Sequence, residues 1–97
     1  MTERSDHRAT LLKNGKVLVT GGGSGGPGNT LPEANILATA ELYDPASGTF
    51  APAGNMETER MRHAATLLAN GTVLITGGIN ADNVDGLNSL ASAELFP

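Results

Sequence analysis

The sequence predicts an all-β protein built from two repeated antiparallel units, and three observations support this. Residues 2–22 and residues 58–78 are near copies, shifted by 56 positions, with 15 of 21 aligned residues identical. Each copy holds an Asn-Gly pair between two apolar runs, which is the strongest short signal for a β-hairpin. Thirteen glycines in 97 residues indicate many turns. A repeat of this length is typical of arrays in which each unit covers the apolar faces of its neighbours.

The elements of the first unit follow from local patterns. A first strand is predicted over His7–Leu12, and Asn14-Gly15 is expected to form a tight turn with positive φ at both residues. The β-branched run Val17–Thr20 predicts a second strand, whose weak alternation indicates burial on both faces. The remaining segments are a loop over Gly23–Asn35, a third strand over Ala38–Tyr43, a turn over Asp44–Gly48, a short fourth strand over Thr49–Ala51 and a connection over Pro52–Glu59.

The second unit repeats this order. Its expected elements are a strand over Ala64–Leu68, the Asn70-Gly71 turn, a strand over Val73–Thr76, a loop over Ile79–Ser89 and a strand over Ala91–Phe96, with no fourth strand. The segment Thr58–Ala69 also contains good helix formers, so a helix is the alternative there. The flanking Asn-Gly pair and β-branched run favour the strand.

Composition excludes several function classes. The net charge is −4 and the six Lys and Arg residues are scattered, which argues against nucleic-acid binding. Cysteine is absent, so disulfides, thiolate metal sites and a cysteine nucleophile are excluded. The longest apolar stretches are about five residues, too short for a membrane span. The polar N-terminus predicts a cytoplasmic protein if the chain is complete and leaves a secreted parent open if it is a fragment.

The repeated positions form a motif that extends beyond the hairpins. Its members are Arg4, His7, Gly21, Gly22, Glu41 and Tyr43 in the first unit, and Arg60, His63, Gly77, Gly78 and Glu94 in the second. This motif resembles the kelch repeat of β-propeller proteins, and looks most like bacterial kelch blades, including those of the galactose and glyoxal oxidase group. The resemblance implies a four-stranded blade over residues 1–56 and a second blade, lacking its fourth strand, over residues 57–97. Phe50 stands where many kelch repeats carry Trp.

Two blades leave apolar faces uncovered, because a propeller ring needs about four to eight blades. The sequence therefore predicts either a piece of a longer propeller chain or a homo-oligomeric ring, for instance three copies supplying six blades.

The repeated polar residues are expected to be structural. Arg4 with Glu41, and Arg60 with Glu94, are predicted ion pairs that position strand edges, with ligand-facing charges as the alternative. The two histidines are predicted to be hydrogen-bonded residues at strand starts, since a metal site needs more converging ligands.

No cofactor is expected. Residues 21–26 match G-x-G-x-x-G, but Pro27 and Pro32 oppose the helix that a dinucleotide site requires. The Cys–Tyr cofactor of the copper-radical oxidases cannot form without Cys, so the resemblance is to their scaffold.

The two long loops differ most between the units and are the predicted binding surface. Candidate contact residues are Ser24, Asn29, Asn80, Asp82 and Asp85. The oxygen-bearing side chains of the second loop are of the kind that binds calcium, but their spacing is not that of an EF-hand. The predicted function is a binding scaffold for a protein or carbohydrate ligand. The alternatives are a portion of a larger propeller enzyme, an oxidase or sugar-active protein with catalytic residues outside this chain, and a purely structural blade pair.

Overall fold

The computed structural model describes residues 4–24, 35–83 and 86–96. Within these residues the regular structure is all β-strand, as the sequence predicts, and the helical alternative over Thr58–Ala69 is wrong. No helix among them is long and apolar enough to cross a membrane. The strands in chain order are β1 (Arg8–Leu11), β2 (Val17–Thr20), β3 (Gly23–Ser24), β4 (Asn35–Ile36), β5 (Thr39–Asp44), β6 (Thr49–Asn55), β7 (Ala64–Leu67), β8 (Val73–Thr76), β9 (Ile79–Asn83), β10 (Gly86–Ser89) and β11 (Ala93–Phe96).

Two antiparallel sheets carry the repeat. The first sheet has four strands in the order β1-β2-β5-β6, and the second has three in the order β11-β8-β7. Strands β3 and β4, and strands β9 and β10, form separate two-stranded ribbons. Matched strands pair in matched register: Thr20 lies opposite Ala40 in the first sheet, and Thr76 lies opposite Ala93 in the second.

The Asn-Gly turns close both hairpins, but not with the expected geometry. In each turn only the glycine has positive φ, 86° at Gly15 and 92° at Gly71, so the prediction of positive φ at the asparagines is wrong. In the first turn Leu12 N–H donates to Lys16 O at 2.8 Å and Gly15 N–H donates to Leu12 O at 3.1 Å. This is a three-residue loop in which a single left-handed glycine completes the turn. The asparagine instead accepts a bond from the backbone two residues on, as Asn14 Oδ1 does from Lys16 N–H.

The two long loops contain strands that the sequence does not reveal. Gly23 and Ser24 pair with Ile36 and Asn35, so the ends of the predicted loop Gly23–Asn35 are a short ribbon. The predicted loop Ile79–Ser89 is a hairpin of β9 and β10 with a register shift between Gly86 and Leu87. Asn, Asp and Gly have low strand propensity, so the composition of these segments indicates loops. The strands form because adjacent antiparallel segments pair through their backbones, and composition does not report this pairing.

The fourth strand of the first sheet is longer than predicted. It runs on from Thr49 to Asn55, whereas Pro52–Glu59 was expected to be a connection throughout. Pro52 is tolerated because β6 is an edge strand, where a missing N–H removes no bond to a further strand. A register shift between Ala40 and Glu41 and a positive φ at Gly54 accommodate the extension.

The hydrophobic core lies between the two sheets. Its buried members are Leu18 and Ala40 from the first sheet, Val73, Ile75 and Phe96 from the second, and Met56 from the segment that joins them. Strand β2 is buried from Leu18 to Thr20, which confirms that this strand is covered on both faces. The core therefore joins the sheets face to face and is shared by both.

Substitutions at two glycines that share the same φ can distinguish the cost of a steric clash from the cost of backbone strain. Gly71 and Gly78 have φ of 92° and 91°, but a Cβ on Gly71 would meet nothing within 4 Å, and one on Gly78 would lie 2.6 Å from Met61 O. We expect Gly71→Ala to lower the free energy of unfolding by about 1–2 kcal/mol, the strain of a left-handed residue. We expect Gly78→Ala to cost clearly more, because backbone must move. Urea unfolding measures both, and equal losses would contradict the clash.

Candidate functional site

The first sheet is closed at one end by a buried arginine. Arg4 Nη1 donates to Gly21 O at 2.7 Å and to Thr39 O at 3.1 Å. Arg4 Nη2 donates to Thr39 Oγ1 at 3.3 Å and forms an ion pair with Glu41 Oε2 at 2.7 Å. A single guanidinium thereby ties the N-terminal segment to the end of β2 and the start of β5.

The second sheet repeats this arrangement atom for atom. Arg60 Nη1 donates to Gly77 O at 2.9 Å and to Ser92 O at 3.1 Å. Arg60 Nη2 donates to Ser92 Oγ at 3.1 Å and pairs with Glu94 Oε2 at 3.0 Å. The predicted pairs Arg4–Glu41 and Arg60–Glu94 are both confirmed as contacts. We call these two clusters the arginine hubs.

Burial decides what the hubs can do. The side chains of Arg4 and Arg60 are 0 % and 1 % exposed, so a ligand cannot reach either guanidinium without displacing protein. Glu94 also accepts bonds from the N–H groups of Glu57 and Thr58, at 2.7 and 3.3 Å, which ties the connecting segment to the second sheet. A buried charge with these partners organises backbone, and this geometry favours the structural interpretation.

Arg60 also joins the two sheets through its backbone. Its carbonyl accepts a bond from Gly22 N–H at 3.0 Å, and its N–H donates to Leu37 O at 3.2 Å. Its side chain meanwhile holds the second sheet. Arg60 therefore binds segments that flank β2 and β5 of the first sheet with its main chain, and the second sheet with its guanidinium.

His63 lies in the contact between the sheets, at the start of β7. It is buried, and a hydrogen bond of 2.9 Å joins its Nε2 to the hydroxyl of Thr20. Burial, with smaller contributions from the positive charges of Arg8 and Arg60, lowers the pKa of His63 from 6.5 to about 4. The ring is therefore neutral at pH 7 and part of the core.

His7 occupies the matched position in the first sheet but lies half-buried. Like His63, it has a buried Nδ1 for which the described residues offer no hydrogen-bond partner. Across residues 4–24, 35–83 and 86–96, no three His, Asp or Glu side chains are grouped so as to hold a metal ion.

The remaining motif residues shape the backbone or the sheet face. Gly22 and Gly78 sit against the segment before the first strand: a Cβ on Gly22 would lie 2.6 Å from Ser5 O. Both glycines therefore allow a close backbone approach that a side chain would block. Tyr43 packs against Phe50, with ring centroids 4.8 Å apart.

Sequence reasoning missed a polar contact between matched positions. Asp6 and Arg62, 56 residues apart, are joined by a backbone bond of 2.9 Å and by an ion pair of 3.5 Å between Arg62 Nε and Asp6 Oδ2. Both have positive φ, at 56° and 55°. The sequence does contain a signal for this contact: Asp6 and Arg62 occupy the same position of the repeat and carry opposite charges.

Three of the five candidate binding residues fall on the two ribbons, which leave the sheets directly after the glycine pairs. Ser24 is in β3 and Asp82 is in β9, while Asn29 and Asp85 lie outside the described residues. Asn80 is buried, and its amide donates to Glu59 O at 3.3 Å, so it anchors its ribbon.

Comparison with known proteins gave no match to any family model and none to the curated protein sequences. The kelch resemblance therefore stays a prediction that rests on the repeated residues.

The second arginine hub predicts that Arg60 contributes much more to the free energy of unfolding than the nearby Arg62. We expect Arg60→Met to lower the free energy of unfolding by about 3–5 kcal/mol, because Glu94 and two carbonyls lose their buried partner. Arg62→Met is the matched control and should cost less than about 1 kcal/mol, because its ion pair is exposed. Urea unfolding compares them. A small loss in Arg60→Met would contradict the hub's structural role.

His63 predicts a pH dependence with a defined sign. The unfolded chain binds a proton at His63 below pH 6.5, and the folded chain does so only near pH 4. The contribution of this residue is therefore complete above pH 6.5 and falls by about 3 kcal/mol as the pH drops towards 4. Urea unfolding between these pH values measures the slope. His63→Gln should flatten it, and an unchanged slope in that variant would assign the effect elsewhere.

Proposed function

We propose that the chain is a pair of kelch-like propeller blades that acts as a rigid scaffold for recognition, with the β3–β4 and β9–β10 ribbons forming the binding surface. The observation that carries the proposal is the contrast between a repeated frame and unrepeated ribbons. The hubs, the glycine pairs and the strand registers recur in both sheets. The ribbons that follow them differ in sequence and length.

The ribbons are held at the same place on both sheets. Leu37 N–H donates to Gly22 O at 2.8 Å, and Leu90 N–H donates to Gly78 O at 2.9 Å, so each ribbon returns to its glycine pair. Variable segments on a fixed base are typical of binding surfaces, because the frame supplies rigidity and the segments supply specificity.

The composition of the ribbons favours a polar ligand. Residues 23–36 and 79–89 include Asn, Asp, Ser, Thr and Glu but no aromatic residue, Lys or Arg. The aromatic and arginine anchors of strong protein interfaces are thus missing from these segments. A carbohydrate, bound through hydroxyl contacts to amide and carboxylate groups, is the ligand class that we propose. The enzymatic alternative, with catalytic residues outside this chain, stays a prediction.

A glycan array tests this function. We expect the wild-type chain to bind a subset of glycans, and Ser24→Ala and Asp82→Ala to lose that binding. Ser47→Ala is the control, because Ser47 lies exposed in the turn at the opposite end of the first sheet.

Binding that survives both ribbon variants but is lost in the control would place the surface elsewhere. Absence of binding to any glycan by a folded wild-type chain would contradict the carbohydrate proposal.

A further inference from the structure

The contact between the two sheets has two chemically different sides. The first sheet contributes Leu18, Thr20 and Gly21, and the second contributes His63 and Phe96, all buried. The two sheets do not use the same face of the repeated unit in this contact: the first sheet uses one face and the second uses the opposite face. Because both sheets carry both faces, each sheet has one further face that points away from the contact.

The outward side of the second sheet matches the buried side of the first. Thr76 corresponds to Thr20 and Leu74 to Leu18, yet both are only half-buried, whereas their counterparts are 0 % and 2 % exposed. Leu95 corresponds to Leu42, which packs on the core, but Leu95 itself is 60 % exposed. An apolar face of the kind covered in the first sheet is therefore open in the second.

Gly77 marks the place where a covering segment would sit. Gly21 has φ of 62°, and a Cβ there would lie 2.3 Å from Arg60 O and 2.8 Å from His63 Cε1, so the second sheet fills this space. Gly77 has the same conformation, φ of 65°, but its nearest neighbour at that position is Leu90 O at 3.7 Å. The second unit therefore has, at Gly77, an open space like the one at Gly21 that Arg60 and His63 fill.

The outward side of the first sheet supplies that segment and its apolar partners. Arg4 and His7 correspond to Arg60 and His63, and Tyr43 corresponds to the buried Phe96. Leu11 corresponds to Leu67, which packs on the core, but is itself 65 % exposed. The first sheet thus presents outward the face that the second sheet uses inward.

We infer that the open side of the second sheet binds the open side of the first sheet in a second copy of this chain, head to tail. The internal contact is the template. It places His7 of one copy beside Thr76 of the next, as His63 lies beside Thr20, and Arg4 O beside Gly78 N–H, as Arg60 O lies beside Gly22 N–H.

Charge supports the same assignment. At the internal contact Asp6 lies beside Arg62. Across copies the matched contact places Arg62 of one copy beside Asp6 of the next, so opposite charges meet again. A head-to-tail contact of this kind repeats until it closes, and about two to four copies supply the four to eight units of a propeller ring. The assembly is independent of any ligand at the ribbons.

Light scattering during size-exclusion chromatography tests the inference with three variants. The wild-type chain should form a single species at a small multiple of 9.9 kDa. Leu11→Glu and Leu95→Glu should each abolish it, because a charge replaces an apolar contact. Ala46→Glu, in the exposed β5–β6 turn, is the charge-matched control and should assemble normally.

Mixing the two disrupted variants identifies the geometry. Leu11→Glu retains an intact Leu95 side and Leu95→Glu retains an intact Leu11 side, so the mixture should form a one-to-one dimer. Circular dichroism establishes that each variant is folded. A folded wild-type monomer overturns the inference. An aggregated or unfolded wild-type chain, an assembly that survives both glutamates, or a mixture that stays monomeric also overturns it.

Discussion

Arg60 joins the parts of this structure. Its main chain exchanges hydrogen bonds with Gly22 and Leu37 of the first half, and its guanidinium holds Gly77, Ser92 and Glu94 of the second. Because the guanidinium is buried, its charge depends on Glu94 for compensation. The two sheets are therefore positioned by a residue whose two ends belong to different sheets, and the apolar core fills the space between them.

Buried polar groups fix the position of one sheet relative to the other. Leu, Val and Ile pack without strong directional preference, so apolar contact alone would allow the sheets to slide against each other. The His63–Thr20 bond and the close approach of Arg60 O to Gly21 allow one relative position. Burial also keeps His63 neutral near pH 7, since it lowers the pKa of the ring to about 4. The same residues thus fix geometry and make it sensitive to acid.

The repeat separates the molecule into constant and variable parts. The hub residues recur in both sheets and hold the frame through buried hydrogen bonds, whereas the two ribbons differ in sequence and length. The same logic explains the open faces. In a repeated contact, each unit offers one face to the unit before it and the opposite face to the unit after it. Two units make one such contact between them, so one face of each unit stays uncovered.

The sequence alone determined the two Asn-Gly hairpins, the third strand of each sheet and the hub pairs. The Asn-Gly signals, the β-branched runs and the matched Arg and Glu positions are local or periodic, and each survives without knowledge of packing. Only the tertiary structure decided the ribbon strands over 79–89, the extension of β6 through Pro52 and the single left-handed residue in each turn. It also decided that Asn80 is buried and that Thr20 meets His63. These features depend on backbone pairing and on contacts between distant residues, to which composition and propensity are blind.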